Sequence, residues 1–242
     1  MKDAGANRND FRGTTYAGAL PWLEAPRFHD RAEAGKRLGE ELDEYRGRSD
    51  VLVLALPRGG VPVGSEVAHA LGAPLDLMLV RKLGVPGHEE LAMGAVATGE
   101  VEVLNDDVVR ALELDTDAIE AVARRERAEL ERRDHAYREG REAPEVTGRT
   151  VILVDDGLAT GATMRAAVAA LKKLDPGRIV VAVPVAAPET CEVLRAEADE
   201  VVCLSEPDPF MAIGVWYEDF PQLTDDEVRQ LLGEAWGRVE AR

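Results

Sequence analysis

The chain has 242 residues, of which 45% are hydrophobic and 31% charged, and its 46 acidic residues outnumber 29 basic ones, giving a formal net charge of −17. Because so large a negative charge repels a polyphosphate backbone, we do not expect nucleic acid as a partner. No apolar run approaches the roughly 20 residues that cross a bilayer, and residues 1–13 lack the apolar segment of a secretory signal, so we expect no membrane contact and a cytoplasmic location.

The elements predicted along the chain alternate between helices and buried strands. A helix at residues 28–46, with Ala34, Leu38 and Leu42 at fourfold spacing, precedes a first strand at residues 51–56. Near-continuous Val, Ile and Leu, typical of strands buried on both faces, mark further strands at residues 75–80, 150–154, 179–183 and 201–204. Helical spacing appears at residues 61–71, 162–174 and 189–198. This order predicts an α/β fold with a doubly wound, mainly parallel sheet.

The predicted core spans residues 51–204, and the rest of the sequence adds to it. Residues 205–242 are expected to form a small hood and tail, and residues 1–242 together a single domain. The two cysteines, Cys191 and Cys203, belong to no metal-binding pattern, so we expect free thiols.

Residues 84–140 are predicted to interrupt the core with a lid and a long helix. The beginning of this segment is rich in glycine and proline, which suits a lid. An alternating pattern around Gly99 predicts a β-hairpin. Residues 115–139 are expected to form an inserted helix capped by Asp115 or Thr116. One stripe of this helix is expected to face protein while its charged sides face solvent; the stripe comprises Ile119, Val122, Glu126 and Leu130.

The most distinctive segment is TVILVDDGLATGATM, at residues 150–164. It reads as a buried strand that ends in Asp155 and Asp156, followed by a glycine-containing loop that leads into a helix. Glycine lets the backbone come close to a ligand, and the free amides of a helix N-terminus favour an anion. Because a carboxylate only accepts hydrogen bonds, the two acids, which we expect to be exposed at the strand end, suit neighbouring sugar hydroxyls. The segment therefore predicts a site for a phosphorylated ribose.

At these residues the chain resembles the type I phosphoribosyltransferases, whose signature is a hydrophobic strand, two acidic residues and a short loop of glycine and threonine. The resemblance implies binding of 5-phosphoribosyl-1-diphosphate (PRPP), with Asp155 and Asp156 on the ribose 2- and 3-hydroxyls. It also implies Mg²⁺ as the cofactor, held mainly through PRPP, with the same two aspartates as further candidate ligands. The 5-phosphate is expected on the loop residues Ala159, Thr160, Gly161, Ala162 and Thr163. Receiver domains also place two aspartates after a strand, but after their first strand and without an ATGAT loop.

Two further loops are expected at the same edge, because the carboxyl ends of parallel strands meet there. After the first strand, Arg58, Gly59 and Gly60 fall where the family binds diphosphate through backbone amides, often with an unusual peptide geometry. The alternative is a plain strand-to-helix turn with an exposed arginine. After the second strand, Arg81 and Lys82 match a pair that several family members carry before a mobile loop. The resemblance implies that both stabilise the departing diphosphate, and the alternative is a solvated loop.

The acceptor is not fixed by the sequence. Hypoxanthine and guanine enzymes of the family usually place an acid in the phosphate loop, where this chain has Ala159, so the loop is nearer to adenine and orotate enzymes. By analogy with adenine enzymes, Glu90 is a candidate acid, with an exposed loop residue as the alternative. Trp216 and Tyr217 offer stacking faces for a base, with packing under a C-terminal helix as the alternative.

Three functions follow as hypotheses. The leading one is an enzyme of nucleotide metabolism that transfers phosphoribosyl from PRPP to a nitrogenous, nucleobase-like acceptor and releases diphosphate. The second is a PRPP-binding regulatory protein without turnover, although no basic surface for nucleic acid is evident. The third is a hydrolytic or degenerate transferase that uses water or a small metabolite. The expected partners are PRPP and the acceptor, and a homodimer is left open.

Overall fold

The computed structural model describes the backbone of residues 27–240 and the side chains of residues 27–237. The expectation for residues 1–13, and the ends of the predicted single domain, lie outside the described residues. The helices are α1 (Arg31–Glu41), α2 (Gly60–Leu71), α3 (Asp106–Ala111), α4 (Thr116–Arg138), α5 (Ala162–Lys172), α6 (Pro188–Glu197) and α7 (Asp225–Glu240). The strands are β1 (Val51–Ala55), β2 (Leu75–Leu77), β3 (Val80–Val85), β4 (His88–Ala97), β5 (Val101–Leu104), β6 (Thr150–Val154), β7 (Arg178–Val185) and β8 (Glu200–Ser205). None of these helices is long and apolar enough to cross a bilayer.

Five strands form a parallel sheet in the order β2-β1-β6-β7-β8. The predicted α/β fold with a doubly wound, mainly parallel sheet is confirmed. β1 and β6 are neighbours whose pairing runs from Val51 with Thr150 to Ala55 with Val154. Because the two strands are parallel and end together, the loops that follow them leave the sheet side by side at its carboxyl edge.

The parallel sheet is buried on both faces, because successive side chains of a strand point to opposite sides. On one face, Val51, Val53 and Ala55 of β1 share a core with α1, α2, α4 and α7. On the other face, Leu52 and Leu54 share a core with α5 and α6. No residue of β1 is more than 2% exposed, so packing on both sides sets the position of the loop that follows.

A second sheet, antiparallel, consists of β3, β4 and β5. The hairpin predicted around Gly99 is confirmed by the pairing of β4 with β5. The single strand predicted at residues 75–80 is wrong beyond Leu77: β2 ends there, and β3 begins at Val80 in the other sheet. The apolar run conceals this break because the residues between the two strands are buried as well.

This break changes the setting of the Arg-Lys pair. Arg81 and Lys82 lie inside β3 rather than in a loop after a strand. The segment expected to form a lid is a hairpin of β3 and β4, with Val85 opposite His88 at the tip and register shifts on both sides of Gly84. The ladder is regular from Val80 to Leu83 and irregular towards the tip.

The inserted helix is confirmed as α4, and Asp115 caps its first turn. It packs on β3 and β4 and touches α7. The Tyr137 hydroxyl donates to Asp225 Oδ1 at the start of α7 over 2.7 Å. Arg138, which is buried, donates from Nε to Asp76 Oδ1 of β2 over 2.9 Å. These bonds fix the C-terminal half of α4 against the parallel sheet and α7.

Candidate functional site

The loops after β1 and β6 pack directly on each other at the carboxyl edge of the sheet. A Cβ atom at Gly59 would lie 2.0 Å from Asp156 Oδ2, closer than any real contact. A Cβ atom at Gly60 would lie 2.6 Å from the carbonyl oxygen of Val154 and 2.9 Å from Asp155 Cα. The sequence suggests that Gly59 and Gly60 are needed for close approach to a ligand. The structure gives a second reason, because each glycine makes room for the aspartate loop.

Alanine at Gly59 is expected to lower the free energy of unfolding by about 1–3 kcal/mol, because the Asp156 carboxylate in its path is buried and cannot move away freely. Urea denaturation of the variant measures this change. Gly233→Ala is the control, since Gly233 lies in α7 with open space around its Cα and should gain about 0.5–1 kcal/mol. Equal effects of the two substitutions would contradict the contact described at Gly59.

The loop after β1 also has the unusual peptide geometry expected from the resemblance, because the bond between Pro57 and Arg58 is cis. The Arg58 side chain is 42% exposed, and its Nη1 lies 3.9 Å from Asp225 Oδ1. Such a long ion pair in solvent is weak. The guanidinium group of Arg58 is therefore available to an incoming anion.

The two aspartates after β6 have different surroundings. Asp155 is partly exposed, and its Oδ1 accepts a hydrogen bond from the Asp156 backbone N–H over 2.9 Å. Asp156 is only 8% exposed, so the expectation of two exposed acids is wrong for this residue. Burial and the charge of Asp156 raise the pKa of Asp155 well above its usual range. Burial also raises the pKa of Asp156, although Arg31 acts in the opposite direction.

Arg31, the first residue of α1, is a site residue that the sequence reading missed. Its Nε donates to Asp156 Oδ2 over 2.8 Å, and its Nη1 donates to the Pro221 carbonyl over 2.8 Å. The guanidinium group also lies 3.7 Å above the centre of the Phe220 ring. A signal was present: Arg31 falls three residues before Ala34 and so continues the apolar stripe of α1.

The loop between β6 and α5 has the properties expected of a phosphate site. Thr160, Ala162 and Thr163 are exposed, and the first amides of α5 have no partners within the helix. Gly161 has φ of 65°, and a Cβ atom there would lie 2.4 Å from Thr190 Cγ2. The Thr190 hydroxyl on α6 donates to the Ala159 carbonyl over 2.6 Å. The loop is thus held from behind by α6 while its outer side stays open.

The basic residues of β3 each have a carboxylate partner. Arg81 donates from Nε and Nη2 to Glu126 Oε2 of α4, over 2.9 and 2.6 Å. Lys82 Nζ lies 3.2 Å from the carbonyl oxygen of Glu90 and 3.7 Å from its Oε2. Glu90 is exposed near the hairpin tip, but it lies in the strand β4 rather than in a loop. The glutamates thus hold both side chains of the Arg-Lys pair.

A small cavity of about 30 Å³ joins several of these parts. The loop after β1 contributes Pro57, β3 contributes Arg81, and the first turn of α5 contributes Thr163. From α4 come Leu130 and Arg133. The cavity thus brings together the loop after β1, the strand β3 and the start of α5, with an arginine of α4 that the sequence did not single out.

The aromatic residues proposed for stacking on a base are packed inside the protein. Trp216 is 2% exposed and Tyr217 is 3% exposed. The Tyr217 ring lies between Phe28 and Phe220, with ring centres 5.5 and 4.8 Å away. Burial raises the pKa of Tyr217, and its hydroxyl donates to the Asp156 carbonyl over 2.6 Å. The expectation that Trp216 and Tyr217 offer open faces is therefore wrong, because both are buried in a small core beside the parallel sheet, from which Tyr217 reaches the aspartate loop.

Residues 27–219 of the chain match the family model of the phosphoribosyl transferase domain. Over 208 residues the chain is 48% identical to two Mycobacterium tuberculosis proteins, from strains CDC 1551 / Oshkosh and H37Rv, each named "Putative phosphoribosyl transferase". These matches cover 86% of this chain and 47% of each relative, so the chain spans about half the length of the curated relatives it matches.

Solved structures also resemble this chain. The protein TT1426 from Thermus thermophilus is 48% identical, with a TM-score of 0.79, over 86% of this chain and 98% of its own. A purine phosphoribosyltransferase from Pyrococcus horikoshii is 21% identical, with a TM-score of 0.41, over 80% of this chain and 93% of its own.

Proposed function

The chain belongs to the phosphoribosyl transferase domain family, and on that premise we propose that it binds Mg²⁺ and PRPP at the carboxyl edge of its parallel sheet. There it transfers the phosphoribosyl group to a nitrogenous, nucleobase-like acceptor and releases diphosphate. Because the curated relatives are about twice as long, the activity is proposed for the described domain.

One observation carries this proposal: the glycine loop after β1 lies against the aspartate loop after β6, beside the open N-terminus of α5. PRPP has three parts that need recognition, and this edge offers a group for each. The exposed loop with Thr160 and Thr163 suits the 5-phosphate. The partly exposed carboxylate of Asp155 suits a ribose hydroxyl, and Arg58 with the amides of its loop suits the diphosphate.

The donor set also fits Mg²⁺ that arrives with PRPP rather than a tightly held protein metal. Mg²⁺ prefers oxygen ligands and usually reaches phosphate sites with one or two carboxylates and several waters. Each aspartate has one oxygen in a hydrogen bond, Asp156 Oδ2 with Arg31 and Asp155 Oδ1 with the Asp156 N–H, and Asp155 is the more exposed of the two and so the better candidate ligand. When bound, Mg²⁺ supplies neutralisation of the diphosphate charge.

In the proposed reaction the bond between C1 of the ribose and the diphosphate oxygen breaks, and a bond from C1 to the acceptor nitrogen forms. The acceptor nitrogen releases its proton to solvent, and the diphosphate leaves with the bonding electron pair. Arg58, Arg81 and Lys82 stabilise the charge that develops on the leaving group. Since Arg81 and Lys82 pair with Glu126 and Glu90, an arriving diphosphate competes with these carboxylates for them.

Acceptor recognition is assigned to the hairpin side of the site. Trp216 and Tyr217 are excluded as open stacking faces by their burial. Ala159 leaves the phosphate loop without the acid that hypoxanthine and guanine enzymes usually carry, which favours an acceptor of another kind. Glu90 near the hairpin tip remains the candidate acid for contact with the acceptor.

The test is incubation with PRPP, Mg²⁺ and a panel of nucleobases and orotate, with diphosphate release followed by a coupled assay. We expect release that depends on one acceptor and is absent from the Asp155→Asn variant. PRPP binding without release for any acceptor would instead indicate a regulatory protein, and release without an acceptor would indicate a hydrolase. Failure of the protein to bind PRPP by titration calorimetry would overturn the proposal altogether.

A further inference from the structure

The inserted helix α4 carries an arginine on the face that packs against the rest of the protein. This face contains Ile119, Val122, Glu126, Leu130 and Tyr137, each at most 9% exposed. Arg133 falls between Leu130 and Tyr137 at helical spacing, where a further apolar residue would be expected. A charged residue in such a stripe suggests a role other than packing.

Arg133 lies beside the parts of the site proposed for diphosphate. It lines the small cavity together with Pro57 at the start of the diphosphate loop, with Arg81 of β3 and with Thr163 in the first turn of α5. The cavity is therefore lined by an arginine on each of two elements and by a residue of the N-terminal turn of α5 on a third. All three are features that attract a phosphate group.

The ion pair of Arg133 can be exchanged at little cost. Its Nε donates to Glu129 Oε1 over 2.8 Å, and its side chain is 44% exposed. Glu129 has a second partner, because Arg132 donates to both of its oxygens over 2.7 and 2.9 Å. Hydrogen bonds from Arg132 and Arg133 lower the pKa of Glu129 to about 2, so this glutamate is ionised at neutral pH. If Arg133 turns to an anion, Arg132 still neutralises Glu129.

We propose that Arg133 of the inserted helix binds the diphosphate group of PRPP together with Arg81, which makes α4 a wall of the substrate site. This inference rests on the proposed function and adds to it a residue outside the three predicted loops. Arg133 contacts the leaving group, whereas the ribose and 5-phosphate are held by the loop after β6.

The experiment is titration calorimetry, in the presence of Mg²⁺, of PRPP, inorganic diphosphate and ribose 5-phosphate into the wild type and three variants. Arg133→Ala is expected to bind PRPP and diphosphate roughly 20-fold more weakly, the effect of losing a hydrogen bond between charged groups. Its affinity for ribose 5-phosphate, which has no diphosphate, should stay unchanged. Arg133→Lys should recover part of the loss, because lysine keeps the charge but not the planar donor set.

Arg132→Ala is the matched control, since it removes the same charge one residue away and breaks a pair with the same glutamate. It should bind all three ligands as the wild type does. Equal weakening by the two alanine variants, or wild-type PRPP binding by Arg133→Ala, would overturn the assignment of Arg133 while leaving the proposed function intact. A loss of ribose 5-phosphate binding in Arg133→Ala would also overturn it, because that result indicates a distorted loop. A wild type that binds no PRPP would refute the proposed function itself.

Discussion

Asparagine in place of Asp155 is expected to raise the melting temperature of this protein and to weaken its binding of PRPP strongly. Burial and the neighbouring charge of Asp156 raise the pKa of Asp155 in the folded protein. The folded state therefore binds the proton of this group more tightly than the unfolded state. Its ionisation costs stability as the pH rises from the ordinary aspartate pKa of about 4 through the raised value. Above that window the wild type carries the full cost, and the neutral variant does not.

Asparagine keeps the local structure but changes the group offered to a sugar. Its Oδ1 can still accept from the Asp156 backbone N–H, as Asp155 Oδ1 does over 2.9 Å. The remaining atom is then an NH₂ donor where the ribose hydroxyl needs an acceptor. A lost hydrogen bond to a charged group costs about 1.5–3 kcal/mol, so PRPP affinity should fall by roughly 100-fold.

Thermal melts of both proteins between pH 4 and pH 8, with PRPP titrations at neutral pH, measure these effects. A variant that avoids about 1–2 kcal/mol of the cost of ionising Asp155 should melt about 3–6 °C higher in a domain of this size. The gain should shrink as the pH falls, because the wild-type carboxyl is then protonated too. A variant that melts below the wild type at pH 8, or that still binds PRPP with wild-type affinity, would contradict the role given to Asp155.

Most of the fold could be predicted from the sequence because its signals are local. The uninterrupted apolar runs of β1 and β6 and the helical spacing of α2 each report burial within one element. The end of β2 could not be found this way. Residues 78 and 79 are buried like the strands on either side of them, so the hydrophobic pattern continues while the hydrogen-bond partners change from one sheet to the other.

The same distinction between local and distant signals applies to the residues of the site. Its loops were identified by chemistry that adjacent residues carry together, such as two acids followed by a glycine and threonine loop. Arg31 was missed because it acts across the fold, at a position whose spacing indicates only a buried helix face, and Arg133, proposed here for diphosphate, has a position of the same kind. A charged residue that interrupts an apolar stripe was the available signal in both cases. The burial of Trp216 and Tyr217 depends on the path of the chain after β8, which no local pattern determines.

Alanine in place of Asp156 is expected to destabilise the protein, the opposite of the effect at its neighbour. Asp156 and Arg31 form an ion pair whose side chains are 11% and 9% exposed. Removing one partner of a buried pair leaves an uncompensated charge and costs about 3 kcal/mol or more. Arg31 would keep only its hydrogen bond to Pro221 and its position over the Phe220 ring. The melting temperature should fall by roughly 6–12 °C.

Combining Asp156→Ala with Arg31→Met separates this effect from general damage to the aspartate loop. Methionine fills similar space without a charge, so the double variant should regain about 2 kcal/mol of the loss, because replacing both partners of a buried pair is often nearly neutral. Asp43→Ala is the control for an exposed pair: Asp43 and Arg46 are 67% and 53% exposed, and the change should cost less than about 1 kcal/mol. Chemical denaturation of the wild type, Asp156→Ala, Arg31→Met and the double variant gives the coupling energy directly. If the double variant were no more stable than Asp156→Ala alone, the loss would lie in the packing of the loop, and Arg31 would not be the residue that requires a carboxylate there.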